Sequence, residues 1–93
     1  MNIETIRTIV KGKELDFTLA KRLSEDIASD IIKEPMLIAW LDVKKGEEFP
    51  QIPECQNKPG WLAYAESHGG RIRIDVNENE YSFIFTDAGV SSD

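Results

Sequence analysis

The side chains of this sequence that could carry chemistry are few and scattered. Cys55 and His68 are its single cysteine and single histidine. They would make a thiolate–imidazole pair if the fold brought them together. Nothing in their spacing requires that, and a cysteine in a proline-flanked loop is more simply a bystander. One of each is too few for a metal centre, which needs clustered ligands. Asp75-Val76-Asn77-Glu78-Asn79 spaces oxygen donors like the start of an EF-hand loop. That motif then requires Gly where this chain has Glu80 and a bidentate Glu where it has Thr86, so a polar hairpin turn explains the residues better. His68-Gly69-Gly70 has the look of a glycine-rich oxyanion loop, but no G-x-S-x-G elbow accompanies it. The glycines are read instead as a tight turn that needs positive φ. Glu66 beside Tyr64, with Arg71 and Arg73 near, would form an acid–base group. Cross-strand ion pairs on a sheet surface account for the same residues without catalysis. There is no P-loop and no dinucleotide-binding glycine motif, and no cofactor or metal is expected.

Composition narrows the classes further. Ninety-three residues, 41% of them hydrophobic, suit one domain with one core and are too apolar for a disordered chain. A domain this small buries only roughly two-thirds of its unfolded surface, so a second copy covering an apolar face would add stability. The net charge of −6, with basic residues scattered singly or in pairs, repels phosphate backbones and anionic membranes. Neither nucleic acid nor membrane is expected as a partner. A sheet displaying aromatics and arginines is also how an RRM binds RNA, but its strand–helix order and RNP1 pattern are missing. A lone cysteine allows no intramolecular disulfide. Met1-Asn2-Ile3-Glu4 does not begin a secretory signal, and the apolar run Met36 to Leu41 is far short of the ~20 residues that span a bilayer. The expected compartment is the cytoplasm.

The elements that must position these residues follow from periodicity. Ile3, Ile6, Ile9 and Val10 recur at helical spacing, with Gly12 as the expected C-cap. A second helix from Phe17 to Lys33 carries the stripe Leu19, Ala20, Leu23, Ile27, Ala28, Ile31 and Ile32, capped by Asp16 or Thr18 and ended by Pro35. Met36 to Val43 reads as a buried strand, and residues 46–60, with three prolines, as a loop in which Pro59-Gly60 makes a type II turn. Trp61 to Glu66 reads as a strand. Arg71–Val76 and Tyr81–Thr86 alternate cleanly across Asn77-Glu78-Asn79-Glu80 and form a hairpin. The predicted fold is therefore α+β, a single domain over 1–93 of order α-α-β-β-β-β. Its helical part is 1–35, its four-stranded antiparallel sheet 36–87 and its flexible tail 88–93, with both helices on one sheet face.

Alternation then assigns the faces. Ile72, Ile74, Val76, Tyr81, Phe83 and Phe85 point at the helices, with Leu37, Ala39, Leu41 and Val43 from the first strand. The opposite face keeps Ile38, Trp40, Asp42, Arg71, Arg73, Asp75, Ser82, Ile84 and Thr86. The third predicted strand adds either Leu62, Tyr64 and Glu66 or Trp61, Ala63 and Ala65. Large apolar groups beside arginines make a face that water should not be left to cover. The candidate interface or ligand residues are Ile38, Trp40, Tyr64, Arg71, Arg73 and Ile84. The leading expectation is a non-enzymatic interaction domain that self-associates through this outer face. The alternatives are cover by the chain's own loop, or a small-molecule binder or small enzyme using the same face with the 46–60 loop.

Lys58-Pro59-Gly60-Trp61-Leu62-Ala63-Tyr64-Ala65-Glu66-Ser67-His68-Gly69-Gly70, with Tyr81-Ser82-Phe83-Ile84-Phe85, resembles a small prokaryotic domain family of unknown function. The resemblance covers the last third of the chain. It implies bacterial or archaeal origin and supplies no catalytic residues.

Overall fold

The computed structural model describes residues 3–11, 14–53 and 57–89. In chain order these form β1 (Glu4–Thr8), α1 (Phe17–Ile31), β2 (Pro35–Asp42), β3 (Glu47–Phe49), α2 (Gly60–Ser67), β4 (Ile72–Val76) and β5 (Tyr81–Asp87). The strands make one five-stranded sheet in the order β1-β4-β5-β2-β3. β1 runs parallel to β4, and every other neighbouring pair is antiparallel. The fold mixes α and β as expected, but the expected plan of two leading helices on a four-stranded antiparallel sheet is wrong. Only one helix precedes the main strands, and the second lies between β3 and β4.

Two segments exchanged type. Over 3–10, six of eight residues are β-branched (Ile3, Thr5, Ile6, Thr8, Ile9 and Val10). Such side chains are stiff at χ1 and suit a pleated strand better than a helix. Pairing with β4 decides the matter, because Ile6 then lies opposite Ile74 in the core. Conversely, Leu62, Ala63, Ala65 and Glu66 are good helix formers, and a short apolar run does not separate strand from buried helix. As a helix the segment buries Trp61 and Ala65 one turn apart. Pro59 therefore caps α2 instead of sitting in a type II turn. Gly60 is required there, because a Cβ would overlap the Ile52 carbonyl and lie 2.9 Å from the Pro53 carbonyl oxygen.

The remaining elements stand close to expectation. Asp16 caps α1, its carboxylate accepting from the Leu19 amide at 2.8 Å. The helix turns Ala20, Ser24 and Ala28 inward, small residues that let it approach the sheet, while Ile31 is left 48% exposed. β4 and β5 form the predicted hairpin. Its turn holds Asn77, Glu78 and Asn79 at positive φ. The expected Gly12 cap, Cys55 and the end of the predicted tail lie outside the described residues.

The helices cover opposite faces of the sheet. Beneath α1 lie Ile72, Ile74, Val76, Tyr81, Phe83 and Phe85, the hairpin face the alternation assigned to the helices. Beneath α2 lie Ile38, Ala39 and Ile84 with Trp61 and Ala65. β2 contributes to both because its register against β5 slips between Leu37 and Ala39. Leu37 pairs with Phe85 on the α1 side, the bulge then places both Ile38 and Ala39 in the α2 cluster, and Trp40 returns to the α1 side opposite Phe83. An extra residue in one strand reverses the facing of everything after it. The strict alternation predicted for β2 fails for this reason: Ala39 and Leu41 belong with α2, and Trp40 and Asp42 do not.

Candidate functional site

The bulge and α2 together redraw the expected outer face. Ile38 and Ile84 are buried, and Tyr64 sits half-buried on α2 itself, packed against their cluster. Arg71 is exposed beside them, 3.5 Å from Asp87, and Arg73 is half-buried on β4. Trp40 is on the other side of the sheet, its ring 4.7 Å from Phe17 and 6.2 Å from Phe49. The structure thus gathers Ile38, Tyr64, Arg71, Arg73 and Ile84 on one side and separates Trp40 from them. The apolar part of that face is covered within the chain, by a helix formed from residues read as a strand.

Where α2 stops, the face becomes polar. Asp75 Oδ1 accepts from Arg73 Nε at 2.8 Å and from the Ser82 hydroxyl at 2.7 Å, and a second Arg73 nitrogen donates to Ser82 Oγ at 3.3 Å. Arg73 also lies over the Trp61 ring, 5.3 Å from its centroid, a cation–π contact that fixes the guanidinium. Asp75 and Ser82 are buried, so this cluster satisfies its own polar groups and holds β4, β5 and α2 together. It does not meet Glu66, which pairs with Lys58 at 2.7 Å at the surface. His68 stacks on Tyr64 with ring centres 3.9 Å apart, and its Nδ1 lies 2.8 Å from the Tyr64 carbonyl oxygen. The expected acid–base grouping is therefore not assembled. No cluster of three or more His, Cys, Asp or Glu suited to a metal exists among the described residues. An open pocket of about 210 Å³ between the end of β1 and the β4–β5 turn, lined by Ile9, Val10, Asn77, Glu78 and Glu80, is smaller than the ~300–1,000 Å³ usual for ligand sites.

The surfaces with unused bonding capacity are the two sheet edges. Among the described residues, β1 is paired only with β4, and β3 only with β2. In β1 the Glu4 amide donates to the Arg71 carbonyl and the Thr8 carbonyl accepts from Asn77. The even-numbered residues therefore turn their amides inward, and Thr5 and Arg7 present theirs to the open edge. Ile9, just beyond, is 63% exposed. In β3 the exposed group is Phe49, 50% accessible and lying flat on Trp40 with 19° between the ring planes. Neither edge is among the expected site residues, because the sequence pattern predicts a helix at β1 and a loop at β3. The signals were the β-branched run of β1 and, for β3, the Val43-Lys44-Lys45-Gly46 turn, whose glycine has φ of +65° and closes a hairpin with β2.

Comparison with known proteins places this arrangement among relatives. A family model described as "Domain of unknown function (DUF5619)" matches residues 3–85, almost the whole chain and well beyond the last third. An uncharacterized protein of Archaeoglobus fulgidus is 34% identical over 71 residues, 76% of each chain. A crystal structure of a protein from the same archaeal species superposes with a TM-score of 0.79 at 28% identity, covering 97% of this chain and all of that one. None of these descriptions names an activity.

Proposed function

The chain belongs to this family of domains of unknown function, and from the geometry of its sheet we propose that it is a non-enzymatic interaction domain that self-associates through the open edge of β1. The observation that carries the reading is the outward-facing backbone of Thr5 and Arg7, which no strand among the described residues pairs. It replaces the outer sheet face as the place of self-association, because α2 already covers the apolar part of that face.

The edge is self-complementary. Two copies of β1 related by a two-fold axis through Ile6 pair antiparallel and keep the faces of both sheets aligned. Thr5 then exchanges hydrogen bonds with the partner's Arg7, twice by symmetry, and Ile6 packs against the partner's Ile6 in the close, non-hydrogen-bonded position. The same register sets the exposed Ile9 opposite the partner's Ile3. No like charges fall directly opposite. β3 is a worse candidate for the same role: it is three residues long, and a two-fold pairing would oppose Glu48 to Glu48.

Sedimentation velocity over a hundredfold concentration range tests the reading, with Arg7→Pro as the comparison. Proline removes the outward amide while sparing the bonds from β1 to β4. The expected result is a dimer for the wild-type chain and a monomer for the variant, with matching circular dichroism. A wild-type monomer at every concentration, or a variant dimer of undiminished affinity, would refute the proposal.

A further inference from the structure

The second open edge, β3, is equipped for a different kind of partner. Its residues are Glu47, Glu48 and Phe49, in register with Asp42, Leu41 and Trp40 of β2. Opposite residues of an antiparallel pair share a face, so Glu47 and Phe49 stand on the α1 side and Glu48 on the α2 side. Phe49 is half-exposed and supported from beneath by Trp40, which is itself held by Phe17. This row of rings runs from the core to the rim, so the exposed aromatic is held in place before any partner arrives. Neither Glu47 nor Glu48 forms an ion pair among the described residues, whereas Glu80 nearby is taken by Lys44. The buried Asp42 carboxylate, which accepts from the Lys45 amide at 3.2 Å, adds a further negative group beside Glu47.

We propose that β3 docks an extended basic segment of a partner protein, which joins the sheet as a sixth strand by β-augmentation. Main-chain hydrogen bonds to the open edge supply the binding, and the side chains of β3 supply the choice of sequence. An incoming antiparallel strand places an apolar residue against Phe49, then a basic residue opposite Glu48 and another opposite Glu47. A parallel strand reads the same set in reverse. The recognised unit is two adjacent Lys or Arg residues next to an apolar one. The second basic group also lies within reach of the Phe49 ring, where a cation is attracted to the aromatic face. The net charge of −6 steers such a segment toward the protein and repels acidic ones. The Glu47 and Glu48 charges that discourage a second copy of β3 are thus the ones that select a basic partner.

The probe is the capped hexapeptide Thr-Val-Arg-Lys-Val-Thr, which presents an apolar residue beside two basic ones in either direction. Its counterpart Thr-Val-Glu-Glu-Val-Thr is the control. Titrated into the full chain and followed by backbone amide shifts, the basic peptide should perturb residues of β3 and the adjoining part of β2, and the acidic one should not. The double variant Glu47→Lys, Glu48→Lys should bind the basic peptide at least ~10-fold more weakly and acquire binding of the acidic one. Because both residues are on the surface, that exchange of preference also verifies that the variant is folded. No perturbation by the basic peptide at millimolar concentration, perturbations centred on β1 or α2, or equal affinity for the double variant would each overturn the proposal. Running the same titration on Arg7→Pro separates it from the self-association at β1, since the expected result is unchanged.

Discussion

Asp75 is a carboxylate with almost no access to water, and a single oxygen of it accepts from both Arg73 and the Ser82 hydroxyl. Its charge is balanced by Arg73, whose guanidinium is held in turn by Ser82 and the Trp61 ring. Removing one partner of such a pair leaves the other with an uncompensated charge, which costs more than the pair contributes. Asp75→Ala should therefore lower stability by about 2–4 kcal/mol, and Asp75→Asn, which keeps an acceptor for both donors, by roughly half as much. Urea unfolding of the two variants checks this, and equal losses would show that the charge is immaterial. The sequence placed Arg73, Asp75, Ser82 and Ile84 on one face correctly, since the hairpin alternates without interruption. It did not reveal that the cluster is closed on itself, because that depends on Trp61 arriving from a helix.

At the scale of elements, what was legible depended on how strongly local pattern and tertiary pairing agreed. α1 has a cap, a stripe and a terminating proline, and its observed span, Phe17–Ile31, ends two residues before the predicted Lys33. The hairpin of β4 and β5 was equally plain. β1 and α2 differ from the predicted types because each is short and its apolar spacing fits two periods. Residue type, β-branched in β1 and alanine-rich in α2, carried the deciding information. The bulge in β2 left no trace in composition, and with it went the facing of Trp40. α2 in turn depends on close contact with the chain before it: Gly60 has the Ile52 and Pro53 carbonyls where a side chain would begin. Gly60→Ala should cost about 2–3 kcal/mol, since backbone must move to admit the methyl group. Gly46→Ala, with open space around it but φ of +65°, should cost only about 1 kcal/mol of conformational strain. Thermal unfolding of the pair distinguishes the two causes.

For the molecule as a whole, the absence among the described residues of any helix long and apolar enough to cross a membrane fits a sheet that takes its cover from its own helices. Core integrity also sets a limit in alkali. The Tyr81 phenol is pushed above its ordinary 10.0, first by burial and then by the Asp42 carboxylate. The folded chain holds that proton more tightly than the unfolded one. Stability is therefore full below about pH 10 and declines as pH rises from there through the folded-state value. Denaturation midpoints at pH 8, 10 and 11 should fall for the wild-type chain and fall less for Tyr81→Phe. Parallel curves would remove Tyr81 as the cause.

The slip in β2 also governs how this chain tolerates changes of length. Ile38 is the residue that lets Leu37 and Trp40, three positions apart, share a side of the sheet. Its deletion would remove the bulge, and Leu37 and Trp40, then two positions apart, would still share the α1 side. What it would take away is the buried Ile38 side chain from beneath α2, while Trp40 stays on Phe17 and under Phe49. A single lost codon at this point would therefore be felt under α2, and the rim at Phe49 would be spared.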